Sequence, residues 1–366
     1  MYNFCRKIFT TKTKAVEMKR RFSLSVVTRS KFDYLLVIVL VHIVIFTYIL
    51  FRSENIQSFA NFHRHRSSPY TPTCFTNFTQ SPQAKLNATW EALEKSLSFN
   101  LKPGGRYNPE GCNLSGDIVV VIPYRNREDQ LKSFMHYMHP FLQSKNLSYQ
   151  MVVVEMTPGL EFNRAMLLNI GFIESMNATD NQCFIFHDVD LLPEKTYTPY
   201  NCDTSPRHMA VAIDKNGYKL PYPSFFGGIC ALTKEHFQRI NGFSNQYFGW
   251  GGEDDDFHDR LKQSGLSITR LSLQDGRYHM LSHAAEKPNT EKFELFKTMR
   301  VRSSFDGLNS LKYKVLKYEL KSLYTWILVN INETSVKTFD REQLIKMNEE
   351  LSKKKYTMRR KPRTRQ

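Results

Sequence analysis

Residues 117–127 read DIVVVIPYRNR. Five consecutive β-favouring aliphatics closed by Pro123 make the pattern of a strand buried on both faces. Helical spacing follows from about Glu128 to Leu142, and QMVVVE at 150–155 repeats the buried-strand pattern. A second stretch, 163–175, has helical spacing through Ala165, Leu167, Leu168, Ile170 and Phe172, and CFIF at 183–186 is a third strand running into HDVD. This β-α-β-α-β order predicts an α/β fold, a parallel sheet covered by helices. Ligands of such sheets bind beyond the carboxyl ends of the strands. Pro123-Tyr-Arg-Asn-Arg127 and Asp188-Val189-Asp190 fall at those ends.

The 366 residues carry 51 Lys+Arg against 35 Asp+Glu, a formal net charge of +16. Residues 1–33 hold a net +7 and residues 353–366 a net +8, which leaves +1 for everything between. The body is therefore near neutral. No zinc-finger spacing or RNP-type motif accompanies the basic ends, so nucleic acid is not an expected partner. A hydrophobic share of 41% excludes a disordered chain.

Tyr34–Phe51 is an eighteen-residue run without Lys, Arg, Asp or Glu, long enough to span a bilayer. Its basic flank is N-terminal, which predicts a cytosolic tail (1–33), a transmembrane signal anchor (34–51) and a lumenal remainder. A cleaved signal peptide is the other reading, but no small-x-small site follows the run. The polar stretch 52–100 reads as a lumenal stem, 101–335 as the catalytic domain, and 336–366 as a basic C-terminal tail, with 353–366 disordered. Sequons at Asn77, Asn87, Asn113, Asn146, Asn177 and Asn332 agree with a lumenal location. Cys5 lies on the cytosolic side. Cys74, Cys112, Cys183, Cys202 and Cys230 remain, so at least one thiol is free or pairs with another chain.

Four groups could carry chemistry. In extended chain, Asp188 and Asp190 project to one side, and two hard oxygens suit a divalent cation bridging a diphosphate. Met280-Leu-Ser-His283 offers a thioether and an imidazole; with Asp190 they make an O/N/S set that fits Mn²⁺ better than Mg²⁺. Trp250-Gly-Gly-Glu-Asp-Asp-Asp256 puts four acids on the first turn of a helix, where the macrodipole favours negative charge, and Gly265 can cap its far end. A carboxylate here could serve as a general base, and Trp250 could stack on a sugar. Arg125, Arg127 and Arg164 beside Tyr124 and Phe162 suit a nucleotide diphosphate. There is no Walker A or G-x-G-x-x-G motif. Each group also has a plain structural reading as solvated loop, core packing, helix cap or surface ion pairs.

Taken together, PYRNR (123–127), FNRA (162–165), DVD (188–190), FFGG (225–228), WGGEDDD (250–256) and HMLSH (279–283) resemble the β1,4-galactosyltransferase family, from about Cys74 to Ile331. The resemblance implies a Golgi membrane protein, single-pass type II, with a GT-A nucleotide-sugar transferase fold: a Rossmann-like mixed sheet with covering helices. It implies a UDP-sugar-dependent hexosyltransferase with Mn²⁺ on Asp190, Met280 and His283. Pro123, Arg125, Arg127, Phe162, Arg164, Asp188, Val189 and Trp250 match donor-binding positions, and Asp254 the catalytic base. Tyr222, Gly252, Glu253, Asp254, Asp255 and Phe296 match acceptor positions. Family disulfides would join Cys74 to Cys112 and Cys183 to Cys202, leaving Cys230 free. The segment from about Leu281 to Val301 would close over bound donor.

Two departures bear on specificity. Phe225 stands where many members have Tyr, a position at which Tyr favours UDP-galactose and smaller residues admit UDP-GalNAc. Leu295 stands where an Arg is frequent. The expected reaction is transfer of galactose from UDP-galactose to terminal β-GlcNAc of glycoconjugates, with inversion. UDP-GalNAc transfer, making LacdiNAc, is the alternative, and a carbohydrate-binding protein on the same scaffold is a non-enzymatic one. A homodimer is compatible with the sequence.

Overall fold

A computed structural model describes residues 88–109, 118–178 and 182–360, all within one compact unit. The predicted anchor and most of the stem, with Cys74, Cys112 and the sequons at Asn77, Asn87 and Asn113, lie outside the described residues. Among the described residues no helix is long and apolar enough to cross a membrane.

The decisive stretch forms β2 (Ile118–Tyr124), following α1 (Trp90–Leu97) and β1 (Arg106–Tyr107). Alternation along β2 sends Ile118, Val120 and Ile122 into one core and Val119 and Val121 into another. The first core is closed by α2 (Glu128–Ser144), through Leu131, Phe134, Met135 and Met138. The second is closed by α3 (Arg164–Ala178), which follows β3 (Tyr149–Met156). A strand covered on both sides has no polar face, which is why its sequence is a continuous apolar run.

β2 pairs in parallel with β3 and with β4 (Cys183–His187). The sheet then departs from the parallel expectation. β8 (Ile229–Thr233) joins β4 antiparallel, after β5 (Leu191–Pro193), β6 (Arg207–His208) and β7 (Ala212–Ile213). α4 (Lys234–Arg239), α5 (Glu253–Gln263), β9 (Thr269–Arg270), β10 (Arg277–Met280) and α6 (Lys292–Arg302) complete the site region. β11 (Lys314–Leu320) and β12 (Thr325–Asn330) extend the other edge, and α7 (Glu333–Arg360) follows. The described residues thus form a nine-stranded mixed sheet and a small β5-β10-β7 sheet.

Two boundaries differ from the sequence reading. α1 falls inside the predicted stem, yet Leu93 is buried in the first core, so the folded unit starts earlier than residue 101. The basic stretch expected to be disordered from 353 is helical through Arg360. The Cys183–Cys202 disulfide forms as expected, with Cα atoms 5.5 Å apart, and Cys230 is a buried free thiol. Burial pushes that thiol up to about 12, so it is inert at neutral pH.

Candidate active site

The loops after β2 and β4, the start of α5 and the segment after β10 meet at one site. Arg164, at the start of α3, joins its own motif to three others. Its Nε donates to Asp188 Oδ1 at 2.6 Å, its Nη2 to the Gly228 carbonyl at 3.2 Å, and its Nη1 lies 3.7 Å from Glu253 Oε1. Burial pushes the Asp188 carboxyl up to about 6, a rise that Arg164 opposes and Asp190 reinforces.

Asp190 Oδ2 faces His283 Nε2 at 2.6 Å. His283 Nδ1 is 2.7 Å from the Ala284 carbonyl, which assigns the proton to Nδ1 and leaves the Nε2 lone pair facing a carboxylate. Two such groups need a positive charge between or beside them. A second proton, on Nε2, is one such charge: the hydrogen bond it donates to Asp190 raises the His283 proton affinity. Asp190 Oδ1 is buried and without a partner, which further suits a cation. Met280 pairs with Leu191 in the β10–β5 ladder, and the Leu281 N–H donates to the Asp190 carbonyl at 2.7 Å, so strand register brings Asp190, Met280 and His283 together. The chemistry of these donors fits a Mn²⁺-type ion. Among the described residues no three His, Cys, Asp or Glu cluster, so the thioether would be needed.

The four acids in the first turn of α5 divide four ways. Glu253 faces Arg164, and its Oε2 is buried without a partner. Asp255 accepts a hydrogen bond from the Tyr222 hydroxyl at 3.2 Å. Asp256 is fully buried, held by Arg260 Nε at 2.6 Å, Arg302 Nη2 at 3.3 Å and the Tyr247 hydroxyl at 3.0 Å; both arginines also hold Asp306. That ion network is structural. Asp254 is 9% exposed, and among the described residues the neighbouring ion pairs reach Glu253 and Asp256 and not Asp254. Burial, then the charges of Glu253 and Asp255, push it up to about 7, against the opposing pull of Arg164. Gly252 precedes the helix at φ 102°, a left-handed value that favours glycine. A Cβ on Gly227 would stand 2.9 Å from Asp254 Oδ2 and 2.9 Å from Phe225 Cζ, so the Phe225 loop and the Asp254 carboxylate meet across a glycine.

Trp250 is 64% exposed at the cleft rim. Its N–H donates to the Lys287 carbonyl at 2.7 Å, and Gly249 N–H donates to the Phe162 carbonyl at 2.8 Å. The Trp-Gly-Gly loop is therefore tied to the Phe162-Asn-Arg motif on one side and to the segment after His283 on the other. That segment is also latched to the first motif: Arg125 Nη2 donates to Glu286 at 2.6 Å, Arg127 Nη2 to the Ala284 carbonyl at 3.2 Å, and Gln130 Nε2 to the Ser282 carbonyl at 2.7 Å. Arg125 also lies over the Phe162 ring, 5.1 Å from its centroid, while Arg127 Nη1 is buried without a partner.

Several expectations shift in detail. Pro123 is the buried sixth residue of β2, and Val189 is 6% exposed in the first core, so either would reach a ligand chiefly through its backbone. Phe296 is half-buried, with its ring 6.4 Å from that of Tyr247. One turn earlier, Phe293 is 67% exposed and Lys292 lies 5.7 Å from the Trp250 ring centroid, so these two also face the rim. Lys292, Phe293, Gln130 and Glu286 were not singled out from sequence. Only their nearness to HMLSH and PYRNR could have hinted at them.

A mixed α/β sheet with an acidic pair after a central strand, a carboxylate at a helix start and arginines around one cleft defines the nucleotide-sugar transferase class. Residues 72–203 match the N-terminal region of glycosyl transferase group 7, and residues 207–284 match the N-terminal domain of galactosyltransferase. The chain is 46% identical over 234 residues to β-1,4-galactosyltransferase 1 of Mus musculus and 44% identical over 239 residues to that of Homo sapiens. Those matches cover 63% and 64% of this chain, and it spans about 60% of the length of these relatives. The crystal structure of the catalytic domain of Drosophila β1,4-galactosyltransferase 7 in complex with xylobiose matches with TM-score 0.51 and 30% identity, over 59% of this chain and 93% of that one. The chain belongs to the β1,4-galactosyltransferase family.

Proposed function

We propose that this protein transfers galactose from UDP-galactose to the 4-hydroxyl of a terminal β-GlcNAc, with inversion at the anomeric carbon. The observation that carries the reading is Asp254, a buried carboxylate at the cleft with its proton affinity raised to about 7. A base poised near working pH both accepts a proton and exists in its ionised form. Asp254 would take the acceptor hydroxyl proton as that oxygen attacks the sugar. Arg127, with a guanidinium nitrogen unspent, would pair with the diphosphate, and Arg164 would hold Asp188 and Glu253 in place. Asp190, Met280 and His283 would hold Mn²⁺, which when bound neutralises charge on the departing UDP. Trp250 would sit at the donor, and Tyr222, Phe293 and Phe296 would line the acceptor side.

Phe225 supports galactose over GalNAc through its bulk. Its ring is wedged edge-on between Tyr222 at 5.5 Å and His208 at 5.6 Å, which limits how far it can yield to an N-acetyl group. In the cell we place the protein in the Golgi membrane as a type II protein, on the strength of the 34–51 apolar run and its basic flank. Incubation with Mn²⁺, a GlcNAc acceptor and UDP-galactose tests the activity. Absence of transfer would favour a carbohydrate-binding role.

A further inference from the structure

His279 opens HMLSH but has no part in the site described so far, and the structure gives it a specific partner. Its Nδ1 lies 2.6 Å from Asp214 Oδ2. The other oxygen of the same carboxylate, Oδ1, accepts the backbone N–H of Met280 at 2.9 Å. Asp214 thus grips two successive residues of β10, one by side chain and one by backbone.

Strand geometry explains the grip. β10 is the middle strand of the small sheet, antiparallel to β5 and parallel to β7. The Leu281 N–H faces β5 and donates to the Asp190 carbonyl, so the Met280 N–H, one residue earlier, points toward β7. But β7 ends at Ile213, whose carbonyl is taken by the Tyr218 N–H in the following turn. The Asp214 side chain supplies the acceptor that the backbone no longer can. The end of β10 is consequently fixed from both edges, by Asp190 on one and Asp214 on the other, just before the chain runs on to His283.

We propose that Asp214, acting through His279 and the Met280 backbone, is the positioning residue of the cation site. It holds β10 so that Met280 and His283 stay in register with Asp190. The inference rests on the reading that these three residues hold a divalent cation. Residues that orient metal ligands without touching the metal typically govern affinity by about 10–100-fold. An aspartate bridging an imidazole N–H and a backbone N–H supplies two charge-assisted hydrogen bonds to that end.

The test measures Mn²⁺ binding to the full chain in the presence of UDP, by electron paramagnetic resonance of free Mn²⁺, alongside thermal unfolding in EDTA. Asp214→Ala is expected to raise the Mn²⁺ Kd about tenfold or more, with the metal-free unfolding midpoint within a few degrees of wild type. Asp214→Asn keeps an oxygen for the Met280 N–H and should show a smaller rise. An unchanged Kd in Asp214→Ala overturns the inference. If that variant fails to fold, His279→Gln, which removes the imidazole contact alone, decides it: a raised Kd supports the clamp and an unchanged one overturns it. A wild-type chain that takes up no Mn²⁺ overturns the metal-site reading and the clamp with it. Normal wild-type uptake with unaltered variants overturns the clamp alone.

Discussion

Replacing Asp254 with Asn should slow the reaction and stabilise the fold, and the second effect should depend on pH. The Asp254 pKa rises from 3.8 to about 7 because burial, Glu253 and Asp255 all disfavour its charge. At 1.36 kcal/mol per pKa unit, ionising it in the folded state costs up to about 4 kcal/mol. The sign follows directly. The folded state holds the proton more tightly, so that contribution is intact below pH 4 and is lost as pH rises to 7. An asparagine never ionises and escapes the loss. In a domain this size about 1 kcal/mol moves the unfolding midpoint by about 2–4 °C, so the variant should gain at most about 8–16 °C at pH 8.5 relative to its difference at pH 4. Transfer rate should fall by about 10²–10⁴-fold. Thermal scans of both proteins from pH 4 to 8.5, with kcat at each pH, check this. A midpoint difference that does not change with pH would refute the placement of a strained carboxylate at the cleft, and an unchanged kcat would refute its role as base.

Three further perturbations address the frame of the site. Arg164→Met leaves Asp188 and Glu253 without their partner and should cost about 3–5 kcal/mol in denaturant unfolding, with a raised KM for the donor. Gly227→Ala drives a methyl to 2.9 Å from Asp254 Oδ2; displacing that carboxylate should lower kcat about 100-fold with a much smaller change in acceptor KM. Opening the Cys183–Cys202 bridge by Cys202→Ser should lower stability by about 3 kcal/mol, the entropy of a loop spanning 19 positions, measured against wild type in the same denaturant series.

The central strands were legible because burial on both faces leaves a continuous apolar run, and β2, β3 and β4 begin and end within a residue or two of the sequence reading. The β4–β8 pairing was not, since Ile229–Thr233 is short and its antiparallel direction depends on a long return through residues 188–228. Within WGGEDDD the sequence could not divide the acids among roles. Asp256 has a local partner in Arg260, four residues on, but the Arg302 that completes its network lies 46 residues later. The link from Arg125 to Glu286 spans 161 residues, and that from Asp214 to His279 spans 65, with no local pattern announcing either. The residues assigned to the site lie within short motifs, whereas those that brace them are visible only once the chain has folded.

The most direct test of the account is a paired donor assay. Purified protein is given Mn²⁺ and a β-GlcNAc acceptor with UDP-galactose or UDP-GalNAc at equal concentration. A β1,4-linked product, a higher kcat/KM for UDP-galactose, and a shift toward UDP-GalNAc on Phe225→Leu are expected. Preferential transfer of GalNAc by the wild-type protein would contradict the choice of galactose as donor sugar, and no transfer from either sugar would contradict the transferase assignment.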